Sequence, residues 1–189
     1  MKAVFLDRDG IININKPYIS DLADIEYVPD VFNQLKKLTD NDYSLFVVTN
    51  QGGVGLGKIS EEQYCNIEEA IERKVLENGS KITETFSSFF HPKAGELYTS
   101  HKHLRKPNSG MIQQATKKYN IQLDSSYLIG DKMSDMTAGN SFNVESLLIR
   151  NEFTCKNEVK NNYKLTFSSL GEAVNPVSYT HLRAHETRP

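Results

Sequence analysis

Short apolar runs alternate with longer amphipathic stretches along most of the chain. Residues 3–6 and 43–48 are almost continuously apolar, the pattern of strands covered on both faces of a sheet. Residues 82–90, 126–130 and 144–150 read as further strands, the first with several polar positions, and 163–167 as an edge strand before a short last helix. Between these runs the apolar positions fall at helical spacing. Asp30 is placed to cap a helix over 31–38, Asn41-Asp42 marks the turn after it, and Ser60-Glu61-Glu62-Gln63 is a capping-box sequence opening a helix to about Asn78-Gly79. Two more helices are predicted over 109–119 and from about 134 to 140. Strands alternating with helices predict an α/β fold, doubly wound, with a mainly parallel sheet. Between Gly10 and Tyr43 there is room for one helix and a loop, too little for a separate domain.

The periodicity stops near Ala173-Val174. Residues 177–189 follow neither helical nor strand spacing and resemble a translated adaptor or vector sequence. The expectation is a single domain over 1–174 with a non-native or disordered tail over 175–189, so His181 and His185 are set aside.

Composition narrows the function. A chain of 189 residues suits one domain with a sizeable core, and a net charge of −2 gives no electrostatic ground for binding nucleic acid or an anionic membrane. Cys65 and Cys155 lie far apart without a Cys-x-x-Cys pair, which fits a reducing compartment. No apolar stretch reaches the ~20 residues needed to span a bilayer, and the N-terminal apolar run is too short for a signal peptide. The expected protein is cytoplasmic and monomeric, without nucleic-acid or membrane partners.

The chemistry gathers at strand ends. Asp7-Arg8-Asp9-Gly10 closes the first strand, and period-two alternation puts Asp7 and Asp9 on one face at its carboxyl end, where ligands sit in open α/β sheets. Two close carboxylates repel each other, and a hard divalent cation with oxygen ligands offsets that repulsion. Taken alone, the stretch serves equally well as a solvated turn. The second strand ends in Thr49-Asn50-Gln51-Gly52-Gly53, a hydroxyl, an amide and unhindered N–H groups that suit a phosphate or a simple turn. Arg105-Lys106-Pro107 precedes a helix after the polar loop 91–108, and Gly130-Asp131-Lys132 closes the fourth strand with Asp135 one helical turn on. Each signal is weak alone; their order along the chain is not.

That order resembles the haloacid dehalogenase-type phosphohydrolases. The fuller strings Phe-Leu-Asp-Arg-Asp-Gly, Val-Val-Thr-Asn-Gln-Gly-Gly, Arg-Lys-Pro-Asn-Ser-Gly-Met and Gly-Asp-Lys-Met-Ser-Asp-Met resemble the branch of the heptose-1,7-bisphosphate 7-phosphatases and related histidinol-phosphate phosphatase domains, over residues 1 to about 174. The resemblance implies a Rossmann-like domain without a separate cap and a small phosphorylated sugar as substrate. It implies that Asp7 attacks phosphorus to give an aspartyl phosphate, and that Asp9 serves as general acid and then general base. It implies Mg²⁺ held by Asp7, the backbone carbonyl of Asp9 and Asp131. Thr49 and the Asn50 amide are implied to bind the transferring phosphoryl group and Lys106 to neutralise it, while Asn15, Lys16, Pro17, Tyr18, Gln51, Gly52, Arg105 and Lys132 contact the rest of the substrate. Asp135 is expected to orient Lys132 or other groups around the metal rather than to bind the metal directly.

Two departures stand out. Many relatives of this kind hold the loop before Arg-Lys-Pro with a zinc ion, but the corresponding places here are Ser88, Phe90, Lys102 and Leu104, none a zinc ligand. His91, His101 and His103 without a cysteine fit such a site poorly, so zinc is not expected and the loop is predicted to be held by packing of Phe89, Phe90 and Tyr98. Ile11 stands where such enzymes usually carry Thr, beside the expected site. From a different class, a receiver-like phospho-acceptor switch also groups acids, a Thr and a Lys, but its acceptor lies at the third strand and its acid pair is adjacent in sequence.

Overall fold

Phe5 and Val4, neighbours on the first strand, are both fully buried yet belong to different halves of the core. This is what period-two alternation produces in a strand with helices on both sides. The computed structural model describes residues 1–150, 163, 165–175 and 177. Cys155, Lys164 within the predicted edge strand, and residues 178–189 with His181 and His185 lie outside the described residues.

The strands are β1 (Lys2–Leu6), β2 (Tyr43–Asn50), β3 (Ile82–Ser88), β4 (Tyr127–Gly130), β5 (Glu145–Ile149) and β6 (Thr166–Phe167). They form one sheet in the order β3-β2-β1-β4-β5-β6, and every pairing is parallel. On one face lie α1 (Val31–Asp40) and α3 (Glu61–Glu77), whose Leu35, Leu38, Ile67 and Ile71 pack with Val4, Leu6 and Val47. On the other lie α4 (Gly110–Tyr119) and α5 (Met133–Asn140), whose Met111, Ile112 and Met136 pack with Phe5, Phe46 and Val48. The doubly wound, parallel α/β arrangement is the one expected from the periodicity.

The order of strands fixes where chemistry can occur. From β1 the chain winds out through β2 to β3, then returns to the other side of β1 to build β4, β5 and β6. The switch point lies between β1 and β4, where connections leave in opposite directions and open a crevice at the carboxyl ends. Asp7 sits at that point, its N–H donating to the Ile129 carbonyl at 2.9 Å.

Several boundaries differ from the expected ones. Asp30 precedes α1 with φ 62°, and its carboxylate accepts from the side chains of Asn33 and Gln34 instead of capping backbone N–H groups. Ser60 does form the full capping box with Gln63. The residues after β2 continue into one helical turn, α2 (Gly52–Gly55), which small residues alone did not signal. β6 is two residues long, shorter than the predicted edge strand. Residues 170–175 are helical, and Val177 is buried in the core at 1% exposure, three residues past the expected domain end at 174. No helix among the described residues is long and apolar enough to cross a membrane.

Candidate active site

The turn after β1 is built to hold a carboxylate still. The Arg8 carbonyl accepts from the N–H groups of Ile11, Ile12 and Asn13, at 3.3, 2.9 and 3.2 Å. Gly10 takes φ 96° inside this turn, a conformation that side chains resist, which is why a glycine follows the acid pair. The Arg8 N–H caps Asp7 Oδ1 at 2.8 Å. Asp9 is gripped on both oxygens: Arg8 Nε (3.0 Å) and Asn13 Nδ2 (2.9 Å) donate to Oδ1, and Gln51 Nε2 (2.9 Å) donates to Oδ2.

Two lysines flank Asp7. Lys106 Nζ lies 2.9 Å from Asp7 Oδ1 and 2.6 Å from Asp135 Oδ1, and also donates to the Val48 carbonyl at 2.6 Å. Asn50 fixes the lysine's backbone, its Oδ1 accepting from the Lys106 N–H and its Nδ2 donating to the Lys106 carbonyl, both at 2.9 Å. Lys132 Nζ lies 3.3 Å from Asp7 Oδ2, 3.3 Å from the Asp9 carbonyl oxygen and 3.0 Å from Asp131 Oδ1. Burial works against the Asp7 anion, but Lys106 and Lys132 outweigh it and hold its carboxyl below the usual carboxylate range. Burial opposes the Lys106 charge as well, and Asp135 and Asp7 overcome it, so the lysine stays protonated. Burial pushes the Asp135 carboxyl up to about 6 despite Lys106.

The residues present fit a hard divalent cation. Asp7, Asp131 and Asp135 are all buried, and each offers a ligand oxygen within 4.8 Å of the others, the one such group among the described residues. The three oxygens around the Lys132 ammonium come from Asp7, Asp9 and Asp131, the set that the resemblance assigns to Mg²⁺. Oxygen donors without sulfur or imidazole suit magnesium better than a softer metal.

Around this centre runs a polar cleft whose lining includes Asn15, Pro17, Tyr18, Gln51, Gly52 and Arg105. Thr49 is buried beneath it, and its Oγ1 accepts from Gln51 Nε2 at 2.9 Å. Lys16 also lines the cleft, but its ammonium turns to the Asp24 carbonyl (3.0 Å) and Glu26 Oε1 (2.7 Å). The structure thus brings Asp7, Asp9, Thr49, Lys106, Asp131 and Lys132 together and leaves the Lys16 charge engaged outside. Asp135 takes a larger place than expected. It accepts from the Lys132 N–H at 3.0 Å, but its main partner is Lys106. Ile11 is a correction: at 1% exposure it packs in the core with Ile12 and Val31 and presents nothing to the cleft. An apolar side chain there is satisfied by packing.

The loop 91–108 is fastened by aromatic contacts. Phe89 meets Tyr64 at 4.9 Å and Tyr98 at 5.4 Å between ring centroids, both edge-on, and His101 at 5.9 Å. Gly55 permits this packing, since a Cβ there would lie 2.2 Å from the Phe89 carbonyl oxygen. Phe90 contributes its carbonyl, which accepts from Arg105 Nη1 at 3.0 Å. Of the four places where the resemblance puts zinc ligands, Ser88 donates to the His101 carbonyl at 3.1 Å and Leu104 is buried in the core.

Sequence reasoning missed Arg8, Asn13 and Glu68. Glu68 sits within the buried stripe of α3 between Ile67 and Ile71, a carboxylate at a core-facing position, and that misfit was the signal for it.

Residues 103–173 match the HAD-hydrolase-like family. A D-glycero-alpha-D-manno-heptose-1,7-bisphosphate 7-phosphatase from Photorhabdus laumondii is 40% identical over 141 residues, 74% of this chain and 76% of that protein. A D-glycero-beta-D-manno-heptose-1,7-bisphosphate 7-phosphatase from Haemophilus ducreyi is 34% identical over 175 residues, 92% of this chain and 96% of that protein. Among solved structures, a putative HAD-like phosphatase from Mesorhizobium loti superposes with a TM-score of 0.80 at 26% identity, covering 95% of this chain and 87% of that one. The D,D-heptose 1,7-bisphosphate phosphatase from B. bronchiseptica, complexed with magnesium and phosphate, gives 0.81 at 21% identity over 97% and 99% of the two chains, a likeness of fold. The strand-end acids and lysines thus lie in a chain with near full-length phosphatase relatives, and it belongs to the haloacid dehalogenase-like phosphatases, in the branch of the heptose-1,7-bisphosphate 7-phosphatases.

Proposed function

We propose that this phosphatase removes the 7-phosphate of D-glycero-D-manno-heptose 1,7-bisphosphate in a Mg²⁺-dependent reaction that passes through an aspartyl phosphate on Asp7. The observation that carries the reading is the setting of Asp7, a buried carboxylate with the Lys106 ammonium on one oxygen and, on the other, the Lys132 ammonium in the place that the cation would take between Asp7, the Asp9 carbonyl and Asp131. Such surroundings keep it ionised and lessen its repulsion of a phosphate dianion.

Asp7, Asp131 and the carbonyl of Asp9 would hold the cation, which supplies charge neutralisation at the phosphoryl oxygens when bound. Asp7 forms the new O–P bond as the bond from phosphorus to the sugar oxygen breaks, and Asp9 gives that oxygen a proton. Water then attacks phosphorus, Asp9 takes its proton, and the Asp7 carboxylate is released with inorganic phosphate. Lys106 faces the charge that builds on the phosphoryl oxygens, held in place by Asp135 and by Asn50.

The cleft favours a second phosphate over a cationic group. Arg105 lines it half-buried, and Lys16 adds a further cation once it leaves Glu26, an exposed pairing worth about 0–1 kcal/mol. Histidinol phosphate would bring its own ammonium to these charges. A receiver-like switch does not suit the arrangement, since Asp7 closes the central β1 in a chain from a phosphatase family.

Phosphate release with Mg²⁺ should be fastest on the two anomers of heptose 1,7-bisphosphate, at least about tenfold above histidinol phosphate or fructose 1,6-bisphosphate in kcat/KM, one decade being about 1.4 kcal/mol. Chelation should stop release and added Mg²⁺ restore it. Equal or faster release from histidinol phosphate would overturn the substrate, and release that survives chelation would overturn the metal.

A further inference from the structure

We infer that Glu68 on α3 and Arg8 in the β1 turn form a positioning pair that aims the Asp9 carboxylate; this rests on Asp9 being the general acid. The Arg8 guanidinium is a planar fork with two edges. One edge, Nε and Nη2, meets Asp9 Oδ1 at 3.0 and 2.9 Å, and the remaining Nη1 is bonded to Glu68 Oε1. Fixing Nη1 on an element of the fold sets the rotation of the guanidinium plane, and with it the direction in which the other edge presents Asp9. Arg8 and Glu68 are 3% and 7% exposed, so neither has solvent as an alternative partner.

Stability does not account for Glu68. The residue lies in the stripe of α3 that buries Tyr64, Ile67, Ile71 and Val75, where an apolar side chain would pack without desolvating a charge. A buried ion pair contributes little net stability but fixes geometry, and this one ends on a carboxylate that has to meet a leaving oxygen. Asn13 and Gln51 also hold Asp9, but each is a turn or loop residue, whereas Glu68 ties the acid to a 17-residue helix.

Leaving-group dependence isolates this role. A sugar alkoxide needs a proton as it departs, whereas p-nitrophenolate does not, and kcat/KM covers the steps through departure of the leaving group only. Glu68→Met, which keeps an unbranched side chain in the stripe, should lower kcat/KM about 10- to 100-fold on the best sugar phosphate, the usual effect of misplacing a reacting group by about 1 Å. On p-nitrophenyl phosphate the loss should stay within about threefold, and Glu68→Gln, whose amide oxygen still accepts from Arg8, should restore most of the sugar-phosphate rate. Equal losses on the two esters, or an unchanged rate on the sugar phosphate, would overturn the pairing. Asp9→Asn run beside them separates the two ideas. If it lacks the ester dependence, the acid assignment fails and the pairing with it; if it has the dependence and Glu68→Met does not, the pairing alone fails.

Discussion

Asp7→Asn should reduce phosphate release by about 10⁴-fold or more, the order seen when a nucleophile that acts with its neighbours is removed. That corresponds to about 5 kcal/mol of barrier. A carboxamide is nearly the same size as the carboxylate and its oxygen can still accept from the Arg8 N–H, now at 2.8 Å. It has no charge and is a poor nucleophile towards phosphorus. The fold should survive, because the turn is closed by the Arg8 carbonyl and by Gly10, and Lys106 and Lys132 keep Asp135 and Asp131 as partners when Asp7 loses its charge. A kinetic assay paired with a thermal melt checks both halves. Turnover within tenfold of the unmodified protein would remove Asp7 as nucleophile.

Lys106→Met should be the most destabilising change in the site. It leaves Asp7 and Asp135 buried side by side without the ammonium that now touches both, and breaking one member out of a buried charge cluster costs about 3–5 kcal/mol. The sign with pH follows from the carboxyls. With Lys106 present, Asp7 has a lowered folded-state pKa, so its contribution is in place above the ordinary carboxylate range and is lost as pH falls through the lowered value. Without Lys106, both carboxyls gain affinity for protons in the folded state, and a group of that kind destabilises at high pH and less as pH falls. Asp135, already at about 6, would protonate first. The stability gap between the two proteins should therefore be widest at pH 7 to 8 and narrow towards pH 5, read by urea unfolding in a chelating buffer. A gap that is constant with pH would mean that Lys106 acts by packing alone. Activity should fall with it, since the same ammonium faces the transferring phosphoryl group under the proposed mechanism.

Much of this was legible along the chain because strand ends are written locally. Asp7, Asp131 and Thr49 each close an apolar run, and parallel pairing of β1 with β2 and β4 brings such ends together without further information. The two-sided core was legible for the same reason, from runs such as 43–48 that are apolar on both faces. What escaped depends on contacts between distant segments. Nothing near Glu68 in sequence indicates Arg8, sixty positions earlier, and nothing near Lys16 says that Glu26 will take its charge. Asp30 was misread as a side-chain cap because capping depends on backbone angle as well as on residue type. Ile11 was placed beside the site by its distance from Asp9 in sequence, whereas the turn folds it inward. Val177 escaped since a helix can outlast the end of its apolar period by a residue or two.

The loop before Arg105-Lys106 illustrates the same division. The absence of cysteine at Ser88, Phe90, Lys102 and Leu104 was plain, and Phe89 and Tyr98 were expected to pack there. Only the structure adds Tyr64 from α3, the His101 ring and the close approach of Gly55. These contacts set the Phe90 carbonyl against Arg105, so the loop is built from ring packing that lies beside the cleft.

The central claim is that the phosphoryl group passes through Asp7. Enzyme turning over heptose 1,7-bisphosphate with Mg²⁺, quenched in acid and digested, should yield the peptide carrying Asp7 with one added phosphate that hydroxylamine removes. No added phosphate on Asp7, with phosphate carried by another residue, would contradict it.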